Sequence, residues 1–163
     1  MASPVDSPLR PAVTWRAMDS GDVARVAALE AQSHAAPWTP GNFRDSLAAG
    51  YLSYVGEEGG RIVAYGVLAL GPGEAQLLNL TVAPETRRRG LARALLSRLV
   101  DDAVRRGAEQ MFLEVRASNA AAIALYAAGG FSRVARRERY YPADAATGVR
   151  EDALVMRRPL RGA

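Results

Sequence analysis

An α/β protein is the fold class this sequence predicts: a central mixed, mostly antiparallel sheet flanked by helices on both faces, α+β in its strand order. Three observations carry it. Apolar residues keep helical spacing up to Gly50. Strand-like runs punctuated by Gly and Pro turns then fill residues 51–82. Over residues 75–116 a strand, a strongly amphipathic helix and a second strand follow one another. The 163 residues amount to one domain, long enough to bury a core without metal or disulfide staples.

Residues 1–12 are rich in proline and serine and read as a flexible N-terminal tail, leaving residues 13–160 as the single domain. Residues 13–15 are a short strand. A helix fits residues 21–33, capped by Asp19 or Ser20, with Val23, Val26, Ala27, Leu29 and Glu30 in its amphipathic pattern. Pro37 to Pro40 break the chain; Thr39 and Pro40 are then the N-cap and first residue of a helix over residues 40–49. Strands at 51–57 and 61–70 flank the hairpin signal Glu58-Gly59-Gly60, and a third at 75–82 ends at Ala83-Pro84. The helix over 90–106 sets Leu91, Leu95, Leu96, Leu99, Val100 and Ala103 against the core and Arg93, Arg98, Asp101, Asp102 and Arg105 outside, with Gly107 as its stop. A strand at 110–116, a helix at 119–128 and a stop at Gly129-Gly130 follow. Strands at 131–141 and 151–157 close the chain around a loop containing Pro142 and Gly148.

Composition removes several chemistries. Without cysteine there is no disulfide framework, thiolate zinc site, iron–sulfur cluster or cysteine nucleophile. One histidine, His34, rules out the usual multi-histidine metal sites, so no metal is expected. His34 reads as structural or substrate-adjacent. All 21 basic residues are arginine, which favours forked contacts to phosphate or carboxylate wherever they cluster. No window is apolar enough to span a membrane and the N-terminus lacks a signal-peptide core, so a cytoplasmic protein with no membrane partner is expected.

The densest functional signal is Thr86-Arg87-Arg88-Arg89-Gly90-Leu91-Ala92-Arg93, between a strand and the strongest helix. Free amides at a helix N-terminus, with Gly90 allowing close approach and arginines adding charge, make an anion site. From the loop alone, a solvated arginine turn is as good a reading. Arg87, Gly90 and Ala92 also fill the pattern Arg/Gln-x-x-Gly-x-Gly/Ala, after Leu80-Thr81-Val82-Ala83-Pro84. In this the chain resembles the GNAT N-acetyltransferases. The resemblance implies the GNAT fold and acetyl-CoA as co-substrate. It further implies that loop amides hold the pyrophosphate, and that the strand end at Leu80, Thr81 and Val82 pairs with the pantetheine arm.

The run Leu113-Glu114-Val115-Arg116-Ala117-Ser118-Asn119, continuing to Ala124-Leu125-Tyr126, resembles one subgroup, the RimI-type ribosomal-protein alanine N-acetyltransferases. His34-Ala35-Ala36-Pro37-Trp38, Tyr140-Tyr141-Pro142 and Arg150-Glu151-Asp152-Ala153 match it too. The resemblance implies Glu114 as proton acceptor, Tyr126 as proton donor and Asn119 as a cofactor contact. The residues agree. Strand alternation puts Met111, Leu113 and Val115 on one face and Phe112, Glu114 and Arg116 on the other. That makes Glu114 a carboxylate among apolar residues, either a base or half of an ion pair with an arginine such as Arg116. Tyr126 lies two helical turns after Asn119, on the same face. It is either the donor or a core tyrosine with its hydroxyl tied down. An ammonium cannot attack a thioester, but roughly a tenth of an α-amine is already neutral at pH 7, so a carboxylate base suffices.

Trp38, Tyr140 and Tyr141 stand beside turns and are candidates to line a groove for a substrate peptide. Arg133, Arg137 and Arg139 are expected on one face of the last hairpin, with Arg136 and Glu138 on the other, as a solvated surface without direct nucleic-acid binding. The resulting expectation is acetyl transfer from acetyl-CoA to a protein N-terminus, the N-terminal alanine of a small-subunit ribosomal protein. The alternatives are a small-amine or lysine acetyltransferase of the same fold, and an arginine-rich RNA-binding module. Three departures from the family pattern stand out. Ala127 to Gly130 replace a bulkier helix end, predicting a looser helix under Tyr126; the loop over 143–149 is longer than usual; the tail before Val13 is extra.

Overall fold

The computed structural model describes residues 12–160. Residues 1–11, most of the expected tail, lie outside the described residues. Seven strands form one sheet: β1 (Thr14–Ala17), β2 (Leu52–Glu58), β3 (Arg61–Gly71), β4 (Glu74–Val82), β5 (Gln110–Arg116), β6 (Ser132–Arg137) and β7 (Ala153–Pro159). Their spatial order is β1-β2-β3-β4-β5-β7-β6, and β4–β5 is the parallel pair among antiparallel neighbours. The helices are α1 (Val23–Ser33), α2 (Pro40–Ala48), α3 (Leu91–Arg105) and α4 (Ala120–Ala128).

Each sheet face has its own core. On one, Val23, Val26 and Leu29 of α1 and Phe43 of α2 meet Val55, Tyr65 and Val67. On the other, Leu95, Leu99 and Ala103 of α3 and Tyr126 of α4 meet Leu77, Met111, Leu113 and Met156. Gly66 brings α3 close to the sheet, since a Cβ there would stand 3.1 Å from Leu99 and 3.2 Å from Leu95. The helix starts follow the sequence signals: Thr39 and Asn42 form a capping box around α2. A 3₁₀ turn, Ser20–Asp22, precedes α1, with Asp19 as its cap.

Three expectations change. The last hairpin is shorter than residues 131–141: β6 ends at Arg137, and Arg139 adopts a left-handed conformation (φ 52°) that turns the chain. Within β6 the register slips between Arg133 and Ala135, so Val134 is an extra residue. This bulge puts Arg133 opposite Met156 and Ala135 opposite Val155, so Arg133 and Arg136 share one face and Arg137 takes the other. The expected grouping of Arg133 with Arg137 therefore fails. Nor is the end of α4 loose. A Cβ on Gly129 would lie 3.0 Å from Leu96 of α3, and Arg158 Nη1 donates to the Gly129 carbonyl at 2.9 Å. The small residues let α4 sit tightly on α3.

β1 is fastened by charge to the turn before α1. Buried Asp22 accepts from both terminal nitrogens of Arg16 at 2.7 Å and from the Asp19 amide at 2.9 Å. The Arg16 hydrogen bonds, outweighing burial, hold the Asp22 carboxyl at about 2, below its ordinary 3.8. A lowered carboxyl pKa stabilises the fold fully above the unfolded value and ceases to do so as pH falls through the folded one. Asp22→Asn should therefore cost about 2 kcal/mol at pH 7 and under about 1 kcal/mol at pH 2.5, compared by urea unfolding. An equal cost at both pH values would show that charge is not what Asp22 contributes.

Candidate active site

The site begins where the sheet opens. β4 and β5 pair only from Glu74–Gln110 to Leu77–Leu113 and then separate. A bulge in the β3–β4 ladder starts the divergence: Val67 pairs with Asn79 and Leu68 with Leu77, leaving Leu78 as the extra residue. Leu77 and Leu80 consequently face the α3 core, while Leu78 packs on the α1 side and Asn79 bonds to Glu30 of α1. Between the strands lies a cleft of about 340 Å³. It is lined by both strand ends, by Glu30, His34 and Trp38 from the α1–α2 side, by Asn119 and Tyr126 of α4, and by Tyr141.

Of the residues singled out in the sequence, the cleft gathers Leu80, Glu114, Asn119, Tyr126, Tyr141 and Trp38. Glu114 pairs with Arg137 Nε of β6 at 3.2 Å, not with Arg116. Its hydrogen bond with the Tyr140 hydroxyl is the main cause of a raised Tyr140 pKa. Arg116 instead stacks its guanidinium 4.2 Å from the centre of the Tyr141 ring and reaches Glu151 at 3.4 Å. Glu151 also accepts from the Ser118 amide at 2.7 Å, and its carbonyl from the Tyr141 amide at 3.1 Å. One glutamate thus ties the turn before α4 to the hairpin that carries Tyr141.

Asn119 is the N-cap of α4, its side-chain oxygen accepting from the Ala122 amide at 3.1 Å. Tyr126 is buried, edge-on to Phe131 with ring centres 6.0 Å apart. Among the described residues nothing bonds to its hydroxyl, so the tied-down core tyrosine does not describe it. Burial first, then neighbouring Tyr141, pushes its pKa up to about 12, so it stays protonated. Burial likewise brings Tyr141 to about 12.

The arginine loop is arranged by its backbone. After a 3₁₀ turn, Pro84–Thr86, Arg88 (φ 65°) and Gly90 (φ 76°) both adopt left-handed conformations. Gly90 is the N-cap of α3 and brings no side chain to it, so the first amides of the helix remain open. Arg87, Arg88, Gly90 and Arg93 are exposed, Leu91 and Ala92 are half-buried and Thr86 is buried. Arg89 leaves the group: it forms a double hydrogen bond with Glu58 of β2 and lines a separate hollow with Arg61 and Glu85. Thr81 and Val82 are buried side chains in the β3 ladder, so what they offer the opening is backbone.

Sequence reading missed one feature, a polar network in the α1 wall. Buried Glu30 accepts from Asn79 Nδ2 at 3.0 and 3.1 Å and from the Tyr65 hydroxyl at 3.2 Å. His34 Nε2 lies 3.2 Å from Glu30 and 2.8 Å from the Thr81 hydroxyl. The available signal was a glutamate inside the apolar stripe of α1, four residues before the histidine.

A split parallel pair, an open-amide helix start and a carboxylate–phenol pair in one cleft define a group-transfer enzyme with a phosphate-bearing co-substrate. Residues 23–131 match the model of the acetyltransferase (GNAT) family, and the chain belongs to that family. It is similar to the [ribosomal protein bS18]-alanine N-acetyltransferase of Escherichia coli K12, 38% identical over 147 residues that cover 90% of this chain and 97% of that one. It is 42% identical over 153 residues to the N-alpha-acetyltransferase RimI of Mycobacterium tuberculosis, covering 90% and 92%. A crystal structure of the E. coli ribosomal-protein-S18-alanine N-acetyltransferase matches with a TM-score of 0.85, over 93% of this chain and 96% of that one. Family membership removes the RNA-binding module as a reading of the chain.

Its chain neighbours aside, no atom of the described residues lies within 4 Å of a Cβ built on Gly90, so a side chain there meets backbone strain rather than a clash. Gly90→Val forces a β-branched residue toward φ 76° and disorders the amides beside it. Calorimetric acetyl-CoA affinity should fall at least about tenfold, against less than about threefold for Arg87→Ala. Equal losses would mean that charge, not backbone geometry, holds the phosphates.

Proposed function

We propose that this enzyme transfers the acetyl group of acetyl-CoA to the N-terminal α-amine of a protein, with the N-terminal alanine of a small-subunit ribosomal protein as its substrate. The observation that carries this is the pair of walls at the amine side. Trp38, after α1, and Tyr141, on the last hairpin, line the same cleft as Glu114. Both are held: Trp38 packs on Phe43 with ring centres 5.2 Å apart, and Tyr141 lies under Arg116. Held aromatic walls suit an extended chain end better than a freely tumbling amine. The ribosomal substrate is the one named for the Escherichia coli relative at 38% identity. The reading implies the cytoplasm as the site of action; among the described residues no helix is long and apolar enough to cross a membrane.

In this reading the open amides at Gly90, Leu91 and Ala92 bind the pyrophosphate, with Arg87, Arg88 and Arg93 adding charge. The free edge of β4 at Leu80–Val82 holds the pantetheine arm, and the remaining amide of Asn119 contacts the cofactor. Arg89, tied to Glu58, supports the loop from behind. Glu114 accepts a proton from the amine nitrogen as that nitrogen bonds to the acetyl carbon. Tyr126 gives its proton to the sulfur as the carbon–sulfur bond breaks, and the proton on Glu114 restores the phenol. The buried, protonated state of Tyr126 supports the donor role. Arg137 and the Tyr140 hydroxyl fix the orientation of Glu114.

The test compares an alanine-initiated peptide, its N-blocked form and a blocked lysine peptide. The first should be acetylated and the other two not. Comparable rates on the lysine peptide would replace this reading by the side-chain or small-amine one. Glu114→Gln should lower kcat about a hundredfold or more while acetyl-CoA binds as before. Tyr141→Ala should raise the peptide KM and change kcat less, the pattern of lost uniform binding.

A further inference from the structure

The α-amine of a peptide reaches the enzyme about nine-tenths protonated at pH 7, and the amide product keeps one N–H. Two protons therefore leave the nitrogen. One passes through Glu114 and Tyr126 to the sulfur; the other has no acceptor in the scheme above. The α1 wall of the same cleft holds a carboxylate that the scheme leaves unused. Glu30 is 1% exposed, and among the described residues His34 is its one ion-pair partner.

The hydrogen bonds of this network have a determined direction. A carboxylate only accepts, so Asn79 turns its NH₂ to Glu30 and its carbonyl to Thr81. The Thr81 hydroxyl donates to that carbonyl at 2.8 Å, which leaves its oxygen as acceptor toward His34 Nε2, also at 2.8 Å. Both neighbours of Nε2, Thr81 Oγ1 and Glu30 Oε1, thus call for a hydrogen on it. Nδ1 is left to take a proton. Imidazoles as a class are well matched to an α-ammonium, holding a proton about a unit more weakly, against more than three units for carboxylates.

We propose that His34, oriented by Glu30 and Thr81, is a second proton acceptor of this enzyme. It rests on the N-terminal acetylation reading. His34 Nδ1 takes the first proton of the incoming α-ammonium and frees the nitrogen lone pair that forms the bond to the acetyl carbon. The carbon–sulfur bond then breaks with its electron pair on sulfur. The second nitrogen proton goes to Glu114, sulfur takes the Tyr126 proton, and Glu114 restores the phenol. The imidazolium of His34, whose side chain is 43% exposed, releases its proton to water. The sum is ammonium plus thioester giving amide, thiol and one proton.

His34 is the only histidine, so tag-free protein labelled with ¹⁵N-histidine has a single imidazole to observe. The neutral ring should carry its proton on Nε2, and Glu30→Gln should produce a mixture of tautomers. A proton on Nδ1 overturns the proposal without any appeal to activity. In the acetylation assay His34→Ala should lower kcat about a hundredfold, with peptide KM and acetyl-CoA affinity within about threefold of wild type. Imidazole added to the buffer should restore part of the loss. Full activity in His34→Ala, or a loss that imidazole leaves untouched, overturns the acceptor role. If wild type ignores the peptide and acetylates a small amine, only the N-terminal reading fails, and the same His34 comparison on that amine decides the proposal.

Discussion

The parting of β4 and β5 beyond Leu77–Leu113 is the constraint on which the rest of this structure depends. Inside a protein, backbone N–H and C=O groups must find partners, so a sheet does not open in its centre without compensation. Here each parting strand keeps its ladder on its outer side, β5 with β7 throughout and β4 with β3 on either side of the Leu78 bulge. α3 braces the joint from one face through Leu95 and Leu99, seated closely over Gly66. The inner edges remain for a ligand. The Leu78 bulge then decides which side chains look into the opening, turning Asn79 toward α1 and Leu80 toward α3.

Charge is distributed to serve that opening. Of the three consecutive arginines before α3, Arg89 is consumed by Glu58, so the loop presents left-handed backbone and open amides with only Arg87 and Arg88 exposed among the three. In the cleft itself, burial keeps the Tyr126 and Tyr141 phenols protonated, while Arg137 stands beside the Glu114 carboxylate. The phenols and the carboxylate of one cleft thus differ in environment as well as in residue type. Glu151 couples two parts of the wall, since the Ser118 amide and the Tyr141 amide both end on it.

Much of this was legible in the linear chain. The sequence pattern located every α-helix and strand of the described residues, because amphipathic faces are a local property of residue spacing. The Thr39–Pro40 helix start, the strand face of Glu114 and the one-face placement of Asn119 and Tyr126 follow from repeats of two and of 3.6 residues. The strand ends were less legible. β6 stops at Arg137, where the left-handed Arg139 turns the chain, although the β-favouring Tyr140 and Tyr141 follow.

By itself the sequence determined the element order, the two apolar faces and the chemical identity of the loop at Arg87–Arg93, all of which depend on neighbours within a few turns. Only the tertiary structure decided which partners the charges take. Glu114 meets Arg137 rather than Arg116, Arg89 meets Glu58, and Glu30 gathers Tyr65, Asn79 and His34. The bulges at Leu78 and Val134 also escaped the sequence. Each shifts side-chain alternation by one residue without a glycine or proline to announce it. Their positions come from how neighbouring strands must pair, and that is a property of the assembled sheet rather than of either segment alone.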